Sequence, residues 1–158
     1  MLLPAFYGMV LADAIMQMLY RVRPYEAVPG SADALYEKWM ERMRKAAPNM
    51  GRSTMKKIAR EMIAEFDNLP LVNDGSKPRV GVVGEILVKF HPTANNEVVK
   101  VIEREGCEAV VPGLVDFFQF AFASRFLCKP EIGAPTKKVI TSKAGIALID
   151  WMRKPVDE

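Results

Sequence analysis

The stretch 78–112 constrains the fold of this chain more than any other. It reads PRVGVVGEILVKFHPTANNEVVKVIEREGCEAVVP: a β-branched run from Val80 to Val88, a polar loop, a helical pattern to Gly106, and a second apolar run, Ala109 to Val111. Strand, loop, helix and strand in this order predict a βαβ unit of a parallel sheet. Because ligands in such sheets usually bind beyond the carboxyl ends of the strands, the loop after Val88 is the first place to look for a ligand site.

Five residues in and around this loop are candidate ligand contacts: Gly84, Glu85, His91, Asn95 and Asn96. Gly81 and Gly84 lie inside the predicted strand, so they suit either a nearby ligand or close packing of a helix on the sheet. Glu85 is surrounded in sequence by apolar residues, and burying its carboxylate without a partner would be costly. We therefore expect Glu85 to face a ligand or a buried arginine such as Arg79 or Arg23.

The polar part of the loop offers weaker evidence for chemistry. His91 is the only histidine, and a histidine without a neighbouring nucleophile is not a catalytic triad, so it is either an exposed loop residue or a ligand contact. Asn95 and Asn96 stand at a predicted helix start, where free backbone N–H groups can hold a phosphate or a carboxylate. Capping of that helix explains one of them equally well. No catalytic residue and no metal ligand is assigned on this evidence.

The chain begins with a long apolar segment, for which we predict a helix from about Pro4 to Val22. Asp13, Gln17 and Arg21 recur every four residues and form one narrow polar stripe. A helix that is otherwise apolar all round is expected to be surrounded by protein, supplied by this chain, another chain or a further domain. The polar residues near its middle, and the absence of a basic stretch before it, favour a buried helix over a membrane span or a signal peptide.

Two further helices precede the sheet. The first is predicted from Ser31, as its N-cap, to Ala46. The second follows a cap at Ser53 or Thr54, and its apolar residues recur at helical spacing: Met55, Ile58, Ala59, Met62, Ile63 and Phe66. A connector of turn-forming residues then separates a helical portion, 1–70, from an α/β portion, 78–158, and we expect the two to pack as one compact domain.

Two more helices are predicted after the second strand. An aromatic helix runs from Leu114 to Leu127, and a last helix begins at Thr141 or Ser142 and runs through Trp151 until Pro155 stops it. The predicted fold class is α/β, with a Rossmann-like βαβ parallel-sheet unit and an N-terminal helical portion.

Charge and cysteine content narrow the functional classes. The formal net charge is only +3, from 22 basic and 19 acidic residues, and neither half concentrates the basic residues that nucleic-acid binding usually needs. The two cysteines, Cys107 and Cys128, are far apart and belong to no CxxC pair. This pattern suggests neither a disulfide framework nor a zinc site, and it favours the reducing cytoplasm.

Three motifs together resemble a known family. They are Arg-Pro-Tyr-Glu at 23–26 after the long apolar helix, Lys-Pro-Arg-Val-Gly-Val-Val-Gly-Glu-Ile at 77–86, and His-Pro-Thr-Ala-Asn-Asn at 91–96. The chain resembles CoA-substrate-specific enzyme activases, also described as activators of 2-hydroxyglutaryl-CoA dehydratase. The resemblance covers most of 5–120 and is most specific from Gly84 to Asn96. It implies the fold of the dehydratase D-component, which is built from Rossmann-like α/β units.

The resemblance also implies a chemical setting. Activases of this family couple ATP hydrolysis to low-potential electron transfer through an iron–sulfur cluster, and the dehydratases use clusters to remove water from 2-hydroxyacyl-CoA. This sequence lacks the phosphate loops of the family's ATPase domain, and Cys107 and Cys128 do not match the three cysteines that each dehydratase subunit supplies to its cluster. We therefore expect no cofactor in this chain, with the iron–sulfur cluster and ATP confined to the full system.

Three functional hypotheses follow. The first is an accessory or substrate-side domain of a 2-hydroxyacyl-CoA dehydratase/activase system, not catalytic alone, whose partners are other domains of a larger protein and an acyl-CoA. The second is a small Rossmann-like nucleotide- or CoA-binding enzyme that uses Glu85, His91 and Asn95. The third is a structural oligomerisation module whose first helix joins copies of the chain. None of them involves nucleic acid or a membrane.

Overall fold

The computed structural model describes residues 2–72, 77–127 and 136–157, which form a mostly helical fold with one two-stranded parallel sheet. The helices are α1 (Leu2–Val22), α2 (Ser31–Ala46), α3 (Arg52–Asp67), α4 (Ile86–Phe90), α5 (Val98–Arg104), α6 (Leu114–Leu127) and α7 (Thr136–Asp157). Short 3₁₀ turns, Arg23–Tyr25 and Ala47–Asn49, follow α1 and α2, and the strands are β1 (Arg79–Gly81) and β2 (Glu108–Val110). The described residues thus contain the parallel pair of the predicted α/β fold and little more of its sheet.

Helix α1 lies at the centre of the fold, in contact with α2, α3, α6, α7 and β2. Its residues Tyr7, Val10, Leu11 and Ile15 are buried in the main core. The segment Leu3–Tyr25 is long and apolar enough to cross a membrane by length and composition alone, and 28% of its most apolar window is buried. The helix therefore meets protein on several sides while much of its surface remains only half-buried.

Helices α2 and α3 supply most of the remaining core. Trp39 of α2 and Met55, Met62 and Phe66 of α3 are almost fully buried, which confirms the stripe predicted for α3. The caps differ from the prediction, because Gly30 and Gly51 precede the two helices and Ser31 is already helical. Gly30 takes a left-handed φ of +84°, a conformation that serine adopts only with strain.

The sheet is smaller than the sequence predicted. β1 and β2 run parallel with Arg79 opposite Glu108 and Gly81 opposite Val110, so the predicted parallel pairing is confirmed. The predicted strand from Val80 to Val88 is wrong beyond Gly81, because Ile86–Phe90 forms α4. Gly84 turns the chain at a φ of +151°, a value that an L side chain rarely adopts.

The two C-terminal helices pack against each other and against α1, and α7 also packs against α3. Helix α6 has the predicted bounds, but α7 begins at Thr136, before the predicted caps Thr141 and Ser142, and it continues past Pro155. Ser142 is fully buried inside the helix. The helix begins early because Val139, upstream of the predicted caps, is also buried with the core-facing residues of α7.

Residues 70–72, which follow α3, are held beside the end of α1. A bridge pairs Glu26 with Leu71 in antiparallel fashion. The Ala27 amide donates to the Pro70 carbonyl at 2.9 Å, and the Val72 amide donates to the Tyr25 carbonyl at 2.7 Å. These bonds hold residues 70–72 beside Tyr25 and Ala27.

Candidate functional site

The turn after β1 holds two of the predicted site residues in structural roles. The Glu85 carboxylate caps α4 by accepting hydrogen bonds from the Leu87 amide at 2.8 Å and the Val88 amide at 3.2 Å. Glu85 is exposed, so the cost of burial that suggested an arginine partner does not arise. The proposed pairing of Glu85 with Arg79 or Arg23 is wrong, because both arginines bond other carboxylates.

The polar residues of the following loop are also used locally. The His91 Nδ1 accepts a hydrogen bond from the Ala94 amide at 3.3 Å. The Asn95 side-chain amide donates to the Val88 carbonyl at 3.0 Å, and its oxygen accepts from the Val98 amide at 3.3 Å, at the start of α5. Asn96 is exposed with a φ of +54°. Asn95 therefore fixes the loop against both α4 and α5.

A pocket of about 300 Å³ lies beside this loop, and Asn95 is the one predicted site residue that lines it. We call it the strand-end pocket, because the segments that follow β1 and β2 form one of its walls and α1 and α2 form the other. Its lining residues are Met16, Leu19, Tyr20, Arg23, Asp33, Tyr36, Glu37, Lys89, Phe90, Pro92, Asn95, Glu97, Val99, Lys100 and Val111. Val111, directly after β2, is part of this lining, so the pocket lies beside the carboxyl end of β2, and ligands of parallel sheets usually bind near such strand ends.

The charges of the strand-end pocket are mostly paired within it. Arg23 bonds the Glu103 carboxylate at 2.9 Å and Asp33 at 3.0 Å, and Lys100 bonds Glu97 at 3.0 Å. Lys89 differs from them, because no carboxylate in the described part of the chain lies within ion-pair distance of its ammonium group. That group lies 4.4 Å from the centre of the Phe90 ring and is available to an anion.

Two tyrosines give the pocket a half-buried aromatic wall. Burial raises the pKa of Tyr20 above its usual value, against the opposing charge of Arg23. Burial likewise raises the pKa of Tyr36, with help from Glu37. Both phenols therefore stay protonated at neutral pH and can donate hydrogen bonds, while their rings offer flat apolar surfaces.

The buried carboxylate of the sheet is Glu108, which the sequence analysis did not select. Its side chain is 2% exposed, and it accepts hydrogen bonds from Arg21 Nη1 at 2.7 and 2.8 Å, Arg79 Nε at 3.0 Å and Tyr25 Oη at 3.2 Å. Burial alone would raise its pKa, but the bonds from Arg21, with Tyr25 and the charge of Arg79, outweigh burial and hold the pKa below its usual value. Glu108 thus joins α1, β1 and β2.

A second, more open groove of about 750 Å³ lies next to Glu108, between α1, α3 and β2. Arg21 and Arg79 line this groove, and their side chains are 61% and 62% exposed. Each of these two cations already bonds Glu108, so an anion entering here would compete with a buried carboxylate. For an anionic ligand the smaller strand-end pocket, with Lys89 at its edge, is the stronger candidate.

The polar stripe on α1 indicated in the sequence that this helix makes polar contacts. The sequence did not show that Glu108 is the partner of Arg21. Asp13, one end of the stripe, accepts hydrogen bonds from the Leu114 amide at 2.9 Å and the Val115 amide at 2.7 Å, at the start of α6. Arg21, the other end, bonds Glu108. The stripe therefore attaches α1 to the segment that contains β2 and the beginning of α6.

The Arg-Pro-Tyr-Glu motif connects the same elements. Arg23 bonds Glu103 of α5 and Asp33 of α2, and the buried Tyr25 bonds Glu108. Glu26 accepts hydrogen bonds from the Gly30 amide at 2.7 Å and the Ala32 amide at 2.8 Å, and so caps α2. Arg23 thus joins α5 to α2, two helices that line the strand-end pocket, while Tyr25 attaches the motif to β2 and Glu26 attaches it to the start of α2.

No group of three or more histidine, cysteine, aspartate or glutamate side chains that could hold a metal occurs among residues 2–72, 77–127 and 136–157. Cys107 is a free, partly exposed thiol before β2, and Cys128 lies outside the described residues. Comparison with known proteins returned no match from family models, curated proteins or solved structures.

Proposed function

We propose that this chain is a ligand-binding accessory domain of a 2-hydroxyacyl-CoA dehydratase/activase system, and that it binds part of an acyl-CoA in the strand-end pocket. The observation that carries the proposal is the position of this pocket beside the carboxyl end of β2, where Val111 lines it, with the Lys89 side chain in the same lining. The resemblance of 77–86 and 91–96 to the activase family supplies the class of ligand.

The size of the pocket limits which part of the ligand it takes. A cavity of about 300 Å³ is at the lower end of the range for small-molecule sites, so a complete CoA thioester would extend beyond it. The adenosine phosphate end suits its chemistry best. A planar base packs against the rings of Tyr20, Tyr36 or Phe90, and Lys89 bonds a phosphate as a point charge.

The domain does not carry out the reaction by itself under this proposal. The His91 Nδ1 already accepts the Ala94 amide, and Glu85 caps α4. The reacting acyl group, the iron–sulfur cluster and the ATP site then belong to other domains of a larger cytoplasmic protein. The purified chain is expected to show neither the brown absorbance of a cluster nor ATP hydrolysis.

Calorimetric titration of the chain with CoA tests the binding proposal. We expect Lys89→Gln to weaken CoA binding by about tenfold or more, because a hydrogen bond to a charged group contributes about 1.5–3 kcal/mol. Tyr36→Leu should weaken it as well. The matched control is Lys57→Gln, which removes an exposed lysine of α3 far from the pocket lining and should leave affinity unchanged. Equal CoA affinity in the Lys89 and Lys57 variants, or no binding at millimolar CoA, would contradict the proposal.

A second candidate, a small nucleotide-binding enzyme, is favoured by the same aromatic walls, which accept the base of any nucleotide. Parallel titrations with ATP and NADH separate the two. Tighter binding of either one than of CoA, together with turnover that Glu85→Gln abolishes without loss of the fold, would select the enzyme.

A further inference from the structure

The sheet ends abruptly at β1. All three residues of this strand, Arg79, Val80 and Gly81, are exposed, whereas Glu108 and Ala109 of β2 are buried. β2 also contacts α1 and α5. Parallel sheets normally have both faces covered, and two strands alone are marginal in water. Among the residues that the structure describes, β1 is therefore the exposed side of the sheet that lacks a neighbour.

The hydrogen-bond pattern shows which groups of β1 face outward. The Glu108 amide donates to the Pro78 carbonyl at 2.8 Å, and the Val82 amide donates to the Val110 carbonyl at 2.9 Å. With the register given above, Val80 also faces β2, and the N–H and C=O groups of Arg79 and Gly81 point away from it. In the described part of the chain these outward groups meet no backbone partner, so β1 presents a free strand edge.

The surface next to this edge is apolar. Val80, Val83, Leu87 and Val88 are all exposed, with Val83 at 84% and Leu87 at 73%. They follow one another closely along β1 and α4. A concentration of exposed large apolar side chains marks an interaction site more often than isolated ones do.

The positive charge of Lys77 lies at one end of the β1 edge and favours one orientation of an incoming strand. Lys77 lies two residues before β1, and its ammonium lies 5.7 Å from the centre of the Tyr25 ring. No described carboxylate lies within ion-pair distance of that ammonium group. An incoming strand that runs parallel to β1 would bring its amino-terminal end beside Lys77, where an acidic residue is complementary.

We propose that the free edge of β1 is the pairing site for an extended, β-branched strand with an acidic residue at its amino end, supplied by a separate polypeptide segment and aligned parallel to β1. Main-chain hydrogen bonds to Arg79 and Gly81 would hold this strand, and its side chains would cover Val80 and Val83. β1 then becomes an inner strand, and the Gly84–Glu85 turn lies between neighbouring strand ends. The inference does not depend on the CoA ligand.

A blocked heptapeptide, Glu-Val-Thr-Val-Thr-Val-Thr, is the probe. Titrated into the isotope-labelled chain without CoA, it should slow hydrogen exchange of the Arg79 and Gly81 amides and leave the Val82 amide, already bonded to Val110, little changed. The same composition with the glutamate at the carboxyl end should bind more weakly. Lys77→Gln should abolish that difference between the two peptides.

The variant Gly81→Pro removes one outward donor and keeps the Val82–Val110 bond, since proline is tolerated at edge positions. Peptide binding should weaken by about tenfold, the loss expected for an edge hydrogen bond. Should Gly81→Pro unfold the chain, a peptide with N-methylated valines tests the same bonds on the unaltered protein, and it should not bind. No binding of the probe, or binding that leaves the exchange of Arg79 and Gly81 unchanged, would overturn the proposal.

Discussion

The helical body, α1, α2, α3, α6 and α7, and the strand segment, residues 77–111, bury their apolar residues to very different extents. In the helical body Trp39, Met55 and Met62 are completely buried. In the strand segment Val83 and Leu87 are among the most exposed apolar residues of the described chain. Both regions are rich in apolar residues, so composition does not account for the difference.

The difference lies in what each region needs in order to bury its apolar surface. A helix satisfies its own backbone hydrogen bonds, and five helices of this chain can cover one another around α1. A strand needs a neighbour on each side, and among the described residues β1 pairs only with β2. The strand segment is therefore fastened to the helical body by polar side chains, chiefly Glu108 and Arg23, more than by a shared apolar core.

The largest expected effect is in the core of the helical body. Trp39→Ala should lower the free energy of unfolding by about 3–5 kcal/mol, the usual loss for a buried large aromatic residue. Leu87→Ala, at a position 73% exposed in the strand segment, should change it by no more than about 0.5 kcal/mol. Chemical denaturation of both variants measures this. A comparable loss in Leu87→Ala would show that α4 is covered in solution.

The next largest effect should distinguish Glu108 from Glu85, two glutamates of the strand segment with different surroundings. Glu108→Gln should destabilise the chain by about 1.5–3 kcal/mol, the value of charge-assisted hydrogen bonds. Removing one partner of a buried ion pair costs more, because it leaves a buried charge without a partner. Here the loss should be smaller, because the side chains of Arg21 and Arg79 are more than half exposed to water. Glu85→Gln should cost about 1 kcal/mol or less, as for an exposed helix cap. A larger loss of stability in Glu85→Gln than in Glu108→Gln, measured by chemical denaturation, would mean that Glu108 does not attach the strand segment to the helical body.

Substitution of Gly113 tests the contact between Asp13 of α1 and the start of α6, at the junction of the helical body and the strand segment. A Cβ at Gly113 would lie 2.7 Å from Asp13 Oδ2, so Gly113→Ala should disturb the Asp13 cap of α6 and destabilise the chain by about 1–3 kcal/mol. Gly8→Ala is the control, since in the described part of the chain no atom outside its own helix backbone lies within 4 Å of its Cβ position. Inside α1 that substitution should stabilise by up to about 1 kcal/mol. Thermal unfolding of the two variants should therefore shift in opposite directions.

The smallest effect is a difference in pH dependence. The folded pKa of Glu108 is lowered by its hydrogen bonds, so its contribution to stability is complete above its unfolded value and is lost as the pH falls through the folded one. Burial raises the pKa of Asp13 against its two backbone bonds, so the contribution of Asp13 is complete at low pH and is lost as the pH rises through its folded pKa. Carboxyl NMR titration should place Asp13 above its usual value and Glu108 below.

The hydrogen-bonded carboxylate of Glu108 also allows a test by unfolding measurements at different pH values. The difference in unfolding free energy between the wild type and Glu108→Gln should shrink as the pH falls through the folded pKa of Glu108. A difference that stayed constant down to strongly acid pH would show that the carboxylate charge does not contribute.

Helical spacing allowed good predictions in the helical body. The stripe from Met55 to Phe66 and the bounds of α6 were read from local sequence, because a helix closes its hydrogen bonds within a few residues. Errors arose where another element decides the outcome. α7 starts early because Val139 packs in the core, and Gly30 replaced Ser31 as the cap of α2 because Glu26 already caps that helix.

The sequence by itself determined the long helices α1, α2, α3 and α6 and the polar stripe of Asp13, Gln17 and Arg21, since each follows from a short-range pattern, and the order strand, helix, strand indicated the parallel pairing of β1 with β2. Only the tertiary structure decided which carboxylate is buried. Glu85 and Glu108 each stand among apolar residues in the sequence. The turn at Gly84 exposes Glu85 as a cap, whereas the pairing of β2 with β1 beside α1 places Glu108 between two arginines and Tyr25. That choice depends on contacts between residues more than eighty positions apart, which no local pattern encodes.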